Sequence, residues 1–240
     1  MADFKTHITT STVLGVAYGV GGSYLFQLPL DSCILAGGLC SLSGMLPDLD
    51  SDSGIPVRET MSVVSMLVPM LLIKRFSSMQ LTSEQLVLLG AGIYFLVRFG
   101  VGSLFRRFTV HRGMWHSIPA AIAAGLIAFL ICDCELQVRC YKAWAVVIGY
   151  MSHLILDELY AVDLNGRHIK VKKSFGSAIK FFGGKPIPNL LAYGNLLALG
   201  TLIWFDPSFQ SLLRERGIEI PVIARQPESS SPILDLFKKR

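Results

Sequence analysis

Apolar residues dominate seven stretches of the chain, at roughly 9–28, 30–46, 60–73, 84–103, 117–132, 142–157 and 190–205, and polar residues gather between them. A helix rising 1.5 Å per residue needs about 20 apolar residues to cross a bilayer. Each stretch therefore predicts a helix. The second, third, fifth and seventh fall short of that length and predict helices that are short, tilted or only partly inserted. Glycine recurs in the first two, at Gly15, Gly19, Gly21, Gly22, Gly37 and Gly38, which favours close approach of helices in lipid. A lone Lys5 precedes the first stretch, and no small-residue cleavage site follows it. That pattern predicts a retained helix rather than a cleaved leader.

Composition narrows the class. Of 240 residues, 52% are hydrophobic and 16% charged, whereas soluble domains carry roughly 25% charged residues. With a mean hydropathy of +0.52, the chain has too little polar surface for a soluble globule of this size, and its 14 Phe exclude disorder. The predicted fold class is all-α: a multi-pass transmembrane protein of about five to seven apolar helices. A helical membrane domain would occupy 1–205, with a basic loop at 158–189, and a polar tail would follow at 206–240. The formal charge of +5 comes from basic residues lying between apolar stretches, so it forms no patch for nucleic acid.

The same charges predict orientation. If every stretch crosses, one side collects Lys5, Arg58, Arg106, Arg107, Arg112, Arg167, Lys170, Lys172, Lys173, Lys180 and Lys185. The other has Lys74, Arg75, Arg139 and Lys142. The positive-inside rule makes the first side cytoplasmic. Five cysteines, none in a C-x-x-C pair, read as packing residues or free thiols.

Histidine is scarce and its placement is informative. His7 precedes the first stretch, His111 and His116 precede the fifth, and His153 lies near the end of the sixth. Asp48, Asp50 and Asp52 follow the second stretch, and Asp157 follows His153 by four. All fall at the predicted cytoplasmic end. The i, i+4 spacing puts His153 and Asp157 on one helix face, as two metal ligands or as a hydrogen-bonded pair that orients a helix end. In His111-Arg-Gly-Met-Trp-His116-Ser, Gly113 permits a turn that brings both imidazoles to one ion. From Asp48 the acids partly match a calcium loop, but the glycine stands at position seven instead of six. A solvated acidic loop that caps a helix is a further reading. The preferred one has Asp48 and Asp50 reaching the histidines. Four His with Asp48, Asp50 and Asp157 exceed what one tetrahedral ion needs, which predicts two ions. Ligation by His and Asp without thiolate points to zinc, manganese or iron. Hydrolysis is the natural reaction class.

A His near the amino terminus, then Pro-Asp-Leu-Asp, His-Arg-Gly-x-x-His-Ser and Ser-His-Leu-x-Leu-Asp, resembles the YdjM-type family over roughly residues 1–160. The resemblance implies a LexA-regulated, metal-dependent hydrolase of the bacterial inner membrane. It carries the metal role onto His7, Asp48, Asp50, His111, His116, His153 and Asp157. This chain departs from the pattern at Met114-Trp115, where Thr often precedes the second His, and in the long basic segment after Asp157.

That segment, 167–185, reads first as a topology signal. It also permits a short interfacial helix with Phe175, Ile179 and Phe182 on one face and Lys172, Lys173 and Lys180 near headgroups. Lys172 and Lys173 are candidate ligands of a substrate phosphate, and Arg112 is a candidate for stabilising developing negative charge. Asp50 is a candidate ligand or the base that orients water. The expected function is membrane-bound, metal-dependent hydrolysis of a phosphoester or related bond, with membrane lipid as partner. The alternatives are a metal transporter or sensor, and a scaffold with structural His–Asp pairs. Transport calls for ionisable groups at mid-membrane, where this sequence offers little besides Arg98.

Overall fold

A carboxylate starts the first helix. Asp3 accepts the Thr6 amide at 2.9 Å and the Thr6 hydroxyl, and these bonds hold its carboxyl below the ordinary aspartate range. The computed structural model describes residues 3–50, 55–101, 103, 113–165, 168–171, 176 and 178–218. Helix α1 spans Phe4–Phe26 and ends at Gln27, whose left-handed backbone (φ 52°) turns the chain toward α2, Leu30–Ser43. A 3₁₀ turn at Pro47–Asp50 follows. Helix α3 is Ile55–Ser77, and α4 is Ser83–Phe95, opened by a Thr82/Gln85 capping box and continued by a widened turn over Leu96–Val101. Helices α5, Ile118–Ile131, and α6, Leu136–Leu159, come next. Strands β1, Val162–Asn165, and β2, His168–Val171, pair antiparallel with Val162 opposite Val171 and Asn165 opposite His168. Helix α7 is Pro186–Trp204, and α8 is Pro207–Glu215.

The chain divides into two units, Met1–Ile203 and Trp204–Arg240. In the second, the Asp206 side chain accepts the amides of Ser208 and Phe209 and so caps α8. In the first, α1, α2, α5 and α6 form the core. A methyl group on Gly15 would strike the Gly37 carbonyl and Ser41 Oγ, and one on Gly22 would strike the Tyr141 ring. The glycine-rich faces let these helices approach as the sequence predicts. Tyr18 and Tyr141 stack at 4.3 Å, and each hydroxyl bonds the other residue's carbonyl. Gly125 meets Val147 across α5 and α6. At the far end Arg139 is buried. Its guanidinium donates to the Phe129 carbonyl at 3.1 and 3.2 Å and lies over the Phe129 ring, so it satisfies a carbonyl of the last α5 turn.

Gly149 is the tightest of these contacts, since a Cβ there would overlap the Cys40 carbonyl and Ser43 Oγ. Gly149→Ala is expected to push α6 away from α2 at a cost of about 1–3 kcal/mol. Thermal unfolding in detergent should show a clear drop in Tm. An unchanged Tm would mean that the two helices separate freely.

Among the described residues, three helices are long and apolar enough to cross a membrane: Val57–Ser77, Ser83–Val101 and Pro186–Trp204. The expected third stretch thus extends by several residues at both ends. Helices α2 and α5 are apolar but have 14 residues each, short of a full crossing. Helices α1 and α6, with 23 and 24 residues, have the length without the same apolarity: α1 is rich in Thr, Ser and Gly, and α6 carries Arg139, Lys142, His153, Asp157 and Glu158. The fold is helical, as expected, apart from the β1–β2 hairpin. Outward-facing apolar side chains such as Val13, Val16, Leu88, Phe99, Leu190 and Leu197 are more than half exposed, as lipid contact requires.

Candidate metal centre

Four elements bring five side chains together. His7 stands in the first turn of α1, Asp48 in the 3₁₀ turn after α2, His116 in the turn before α5, and His153 and Asp157 near the end of α6. His7, His116, His153 and Asp157 are buried, and the Asp48 side chain is 20% exposed. His7 Nε2 lies 3.4 Å from Asp157 Oδ1, and His153 Nε2 lies 3.5 Å from Asp48 Oδ1. The rings of His7 and His153 stack in parallel at 3.7 Å, and the His116 ring stands edge-on to His153 at 5.7 Å.

Among the described residues, two overlapping groups could hold an ion: His7, His153 and Asp157, and Asp48, His116 and His153. Within each, one ligand atom per residue lies within 4.8 Å of the others. His153 belongs to both. Its Nδ1 is 2.7 Å from the Gly44 carbonyl. A carbonyl only accepts, so Nδ1 carries the proton and the Nε2 lone pair faces the cluster.

The donors fit a metal. Ligand atoms about 2.1 Å from a tetrahedral ion are about 3.4 Å apart, which matches the two nitrogen–oxygen separations. They are also long for charge-assisted hydrogen bonds, which close to about 2.7–2.9 Å. Among the described residues, His153 Nε2 and His7 Nδ1 are buried without a hydrogen-bond partner, an arrangement that costs free energy unless something binds there.

The surrounding backbone holds the ligands in place. The His116 amide donates to the Gly113 carbonyl at 3.1 Å and closes the predicted glycine turn. Trp115 Nε1 donates to the Leu46 carbonyl at 2.8 Å, tying this turn to the segment that carries Asp48. The Tyr150 hydroxyl, one turn before His153, donates to the Trp115 carbonyl at 2.5 Å. Glu158, next to Asp157, accepts the amides of Gly176, Ala178 and Ile179. Sequence reasoning missed Gly44, Trp115, Tyr150 and Glu158 as parts of the site.

The structure joins His7, Asp48, His116, His153 and Asp157. Asp48 turns toward His153, as a shared metal site requires and a separate calcium loop does not. Asp50 ends the 3₁₀ turn, but its side chain lies outside the described residues, as do His111, Arg112, Lys172 and Lys173. Arg98 lies near the end of the candidate span Ser83–Val101 and donates to the Arg58 carbonyl at 3.0 Å. The interfacial helix expected around Ile179 and Phe182 is not formed among the described residues, where 178–185 is non-helical.

Among known protein families, the one described as YdjM inner membrane protein matches residues 1–166, a span that includes every member of the cluster. Neither the curated proteins nor the solved structures contain a match.

Proposed function

Because the chain belongs to the YdjM inner membrane protein family, we propose that its His/Asp cluster is the metal centre of a membrane-bound hydrolase acting on a phosphoester or related bond. One observation carries this reading. Five donors from distant parts of the chain converge, and the two closest pairs are separated as ligands of one ion are. His7, Asp48, His116, His153 and Asp157 would hold the metal. Zinc or manganese bound there supplies a Lewis acid and a water acidic enough to act as a nucleophile near neutral pH.

The protein's own groups divide the remaining work. Gly44 keeps the proton on His153 Nδ1, and Trp115 and Tyr150 fix the turn that presents His116. Asp48, the partly exposed member, marks the side from which a substrate approaches and can orient a water or accept its proton. Arg112 is proposed to stabilise the charge that develops on the phosphoryl oxygens, with Lys172 and Lys173 on the substrate phosphate. The expected pair of ions would need donors beyond these five, for which Asp50 and His111 are the candidates. If every apolar stretch crosses, the Lys and Arg distribution favours a site on the cytoplasmic face.

Elemental analysis of detergent-purified protein, followed by a phosphodiester and phospholipid panel on the same sample, tests this reading. One or two equivalents of metal and metal-dependent turnover are expected. Bound metal without turnover would favour a sensor or transporter, and absence of metal would favour a scaffold. Metal content should also fall steeply on acidification, because protons compete for the imidazole lone pairs. Dialysis of the purified protein across a pH series, with metal measured at each step, checks that expectation.

A further inference from the structure

The segment 178–185, which leads into α7, is tied to the cluster in three places. Glu158, the neighbour of Asp157, accepts the Ala178 and Ile179 amides at 2.7 and 3.2 Å and the Gly176 amide at 2.7 Å. Ile118, two residues beyond His116, donates its amide to the Lys180 carbonyl at 3.1 Å. Ala178 is buried in a cluster with Tyr150 and Leu154, and Leu154 follows His153. These tethers leave the strap little freedom to move relative to the ligands.

The opposite side of the strap is apolar and open. Ile179, Phe181 and Phe182 are 41%, 57% and 69% exposed. Phe182 stacks on Tyr193 of α7 at 5.2 Å, and the Tyr193 hydroxyl donates to the Phe181 carbonyl at 2.9 Å. The strap is therefore continuous with a helix that is apolar and long enough to span the membrane from Pro186. A span starting there places the strap at the bilayer surface, where aromatic residues and a flanking lysine such as the exposed Lys185 are favoured. The tethers carry the metal cluster to the same depth.

Resting on the hydrolase reading above, we propose that the substrate is a membrane lipid phosphoester. Its chains stay in the bilayer against Phe181 and Phe182 while its phosphate reaches the cluster. The reaction consumes one water. The water oxygen bonds to phosphorus, the phosphorus–oxygen ester bond breaks, and the departing alcohol oxygen takes up a proton.

The test uses full-length protein in dodecyl maltoside micelles with zinc added. Phosphatidic acid and phosphatidylglycerol in the same micelles are compared with glycerol 3-phosphate and glycerophosphoglycerol in solution. The lipids should be favoured by about 100-fold in kcat/KM, because apolar contacts of the chains add to binding. Their turnover should follow the mole fraction of lipid in the micelle. Phe181→Ser/Phe182→Ser should retain its metal and lose about 10-fold in lipid turnover. Independently, Phe182→Trp in bilayers should gain fluorescence over the natural chain, and brominated phospholipids should quench that gain. Equal turnover of lipids and soluble esters would overturn the lipid proposal and leave the hydrolase reading standing. Metal-loaded protein that hydrolyses none of the four would overturn the hydrolase reading, and this proposal with it. If brominated lipid left the fluorescence gained in the Phe182→Trp variant unquenched, the interfacial placement would be overturned.

Discussion

Purified His153→Ala protein is expected to bind metal at least about 100-fold more weakly than the natural chain and to lose its metal-dependent turnover. Changes in groups that only support metal ligands already cost about 10–100-fold in affinity, and His153 is itself proposed as a ligand. It belongs to both candidate groups, so its loss leaves neither intact. The substitution also strands the Gly44 carbonyl that His153 Nδ1 now engages, at about 1–3 kcal/mol for a buried group. A loss of metal could then be confused with a loss of fold. Asp48→Ala separates the two, because Asp48 is partly exposed and its truncation strands less. Both variants should lose metal, and Asp48→Ala should unfold close to the natural temperature. Unchanged metal content in the His153→Ala/Asp48→Ala double variant would remove the site from consideration.

The parts of this site that were legible in the sequence are those whose chemistry depends on residue type. Histidine and aspartate are costly inside an apolar protein, so their presence at helix ends predicted a cluster, and the i, i+4 spacing of His153 and Asp157 put them on one face. The structure places His7, itself among the expected ligands, against both: its ring stacks on His153 and its Nε2 faces Asp157. No local pattern could reveal that pairing, since α1 and α6 meet only through tertiary packing. Gly44 and Leu46 act through backbone carbonyls, which every residue has, so their roles left no trace in residue type. Trp115, half-buried, and Tyr150, buried, read as ordinary apolar positions because their rings are largely apolar and only the polar tips reach the backbone.

Other differences have equally specific causes. The interfacial helix at 175–182 was an amphipathic reading of Phe175, Ile179 and Phe182, but Glu158 draws the amides of Gly176, Ala178 and Ile179 to one carboxylate. Gly176 adopts φ +78°, a left-handed conformation that helical propensity does not anticipate. The β1–β2 hairpin did have a signal. Val162-Asp-Leu-Asn and His168-Ile-Lys-Val alternate apolar and polar residues around Gly166-Arg167. The number of crossings depends on helices such as α2 and α5, which are apolar but, at 14 residues each, shorter than the roughly 20 that cross a bilayer.

Glu158→Ala should release the strap. The carboxylate is buried and accepts three amides, two at 2.7 Å and one at 3.2 Å. Hydrogen bonds to a charged group contribute about 1.5–3 kcal/mol each, and they do not add fully. Truncation should therefore cost about 3–5 kcal/mol locally, within the upper range of single substitutions. Amide hydrogen exchange at Ala178 and Ile179 would accelerate by about 100-fold or more, since about 1.4 kcal/mol corresponds to a factor of ten. Glu158→Gln should fall between, because one side-chain oxygen still accepts while the new NH₂ faces an amide donor. Because Asp157 precedes Glu158 and Ala178 packs beside Tyr150, metal affinity should weaken with strap protection in the order natural chain, Gln, Ala. If exchange at 178–179 stayed slow in the Ala variant, contacts other than the Glu158 carboxylate, such as Ala178 packing and the Ile118–Lys180 bond, would be what holds the strap. If exchange rose with metal affinity unchanged, the strap would be anchored by α6 without helping to position its ligands.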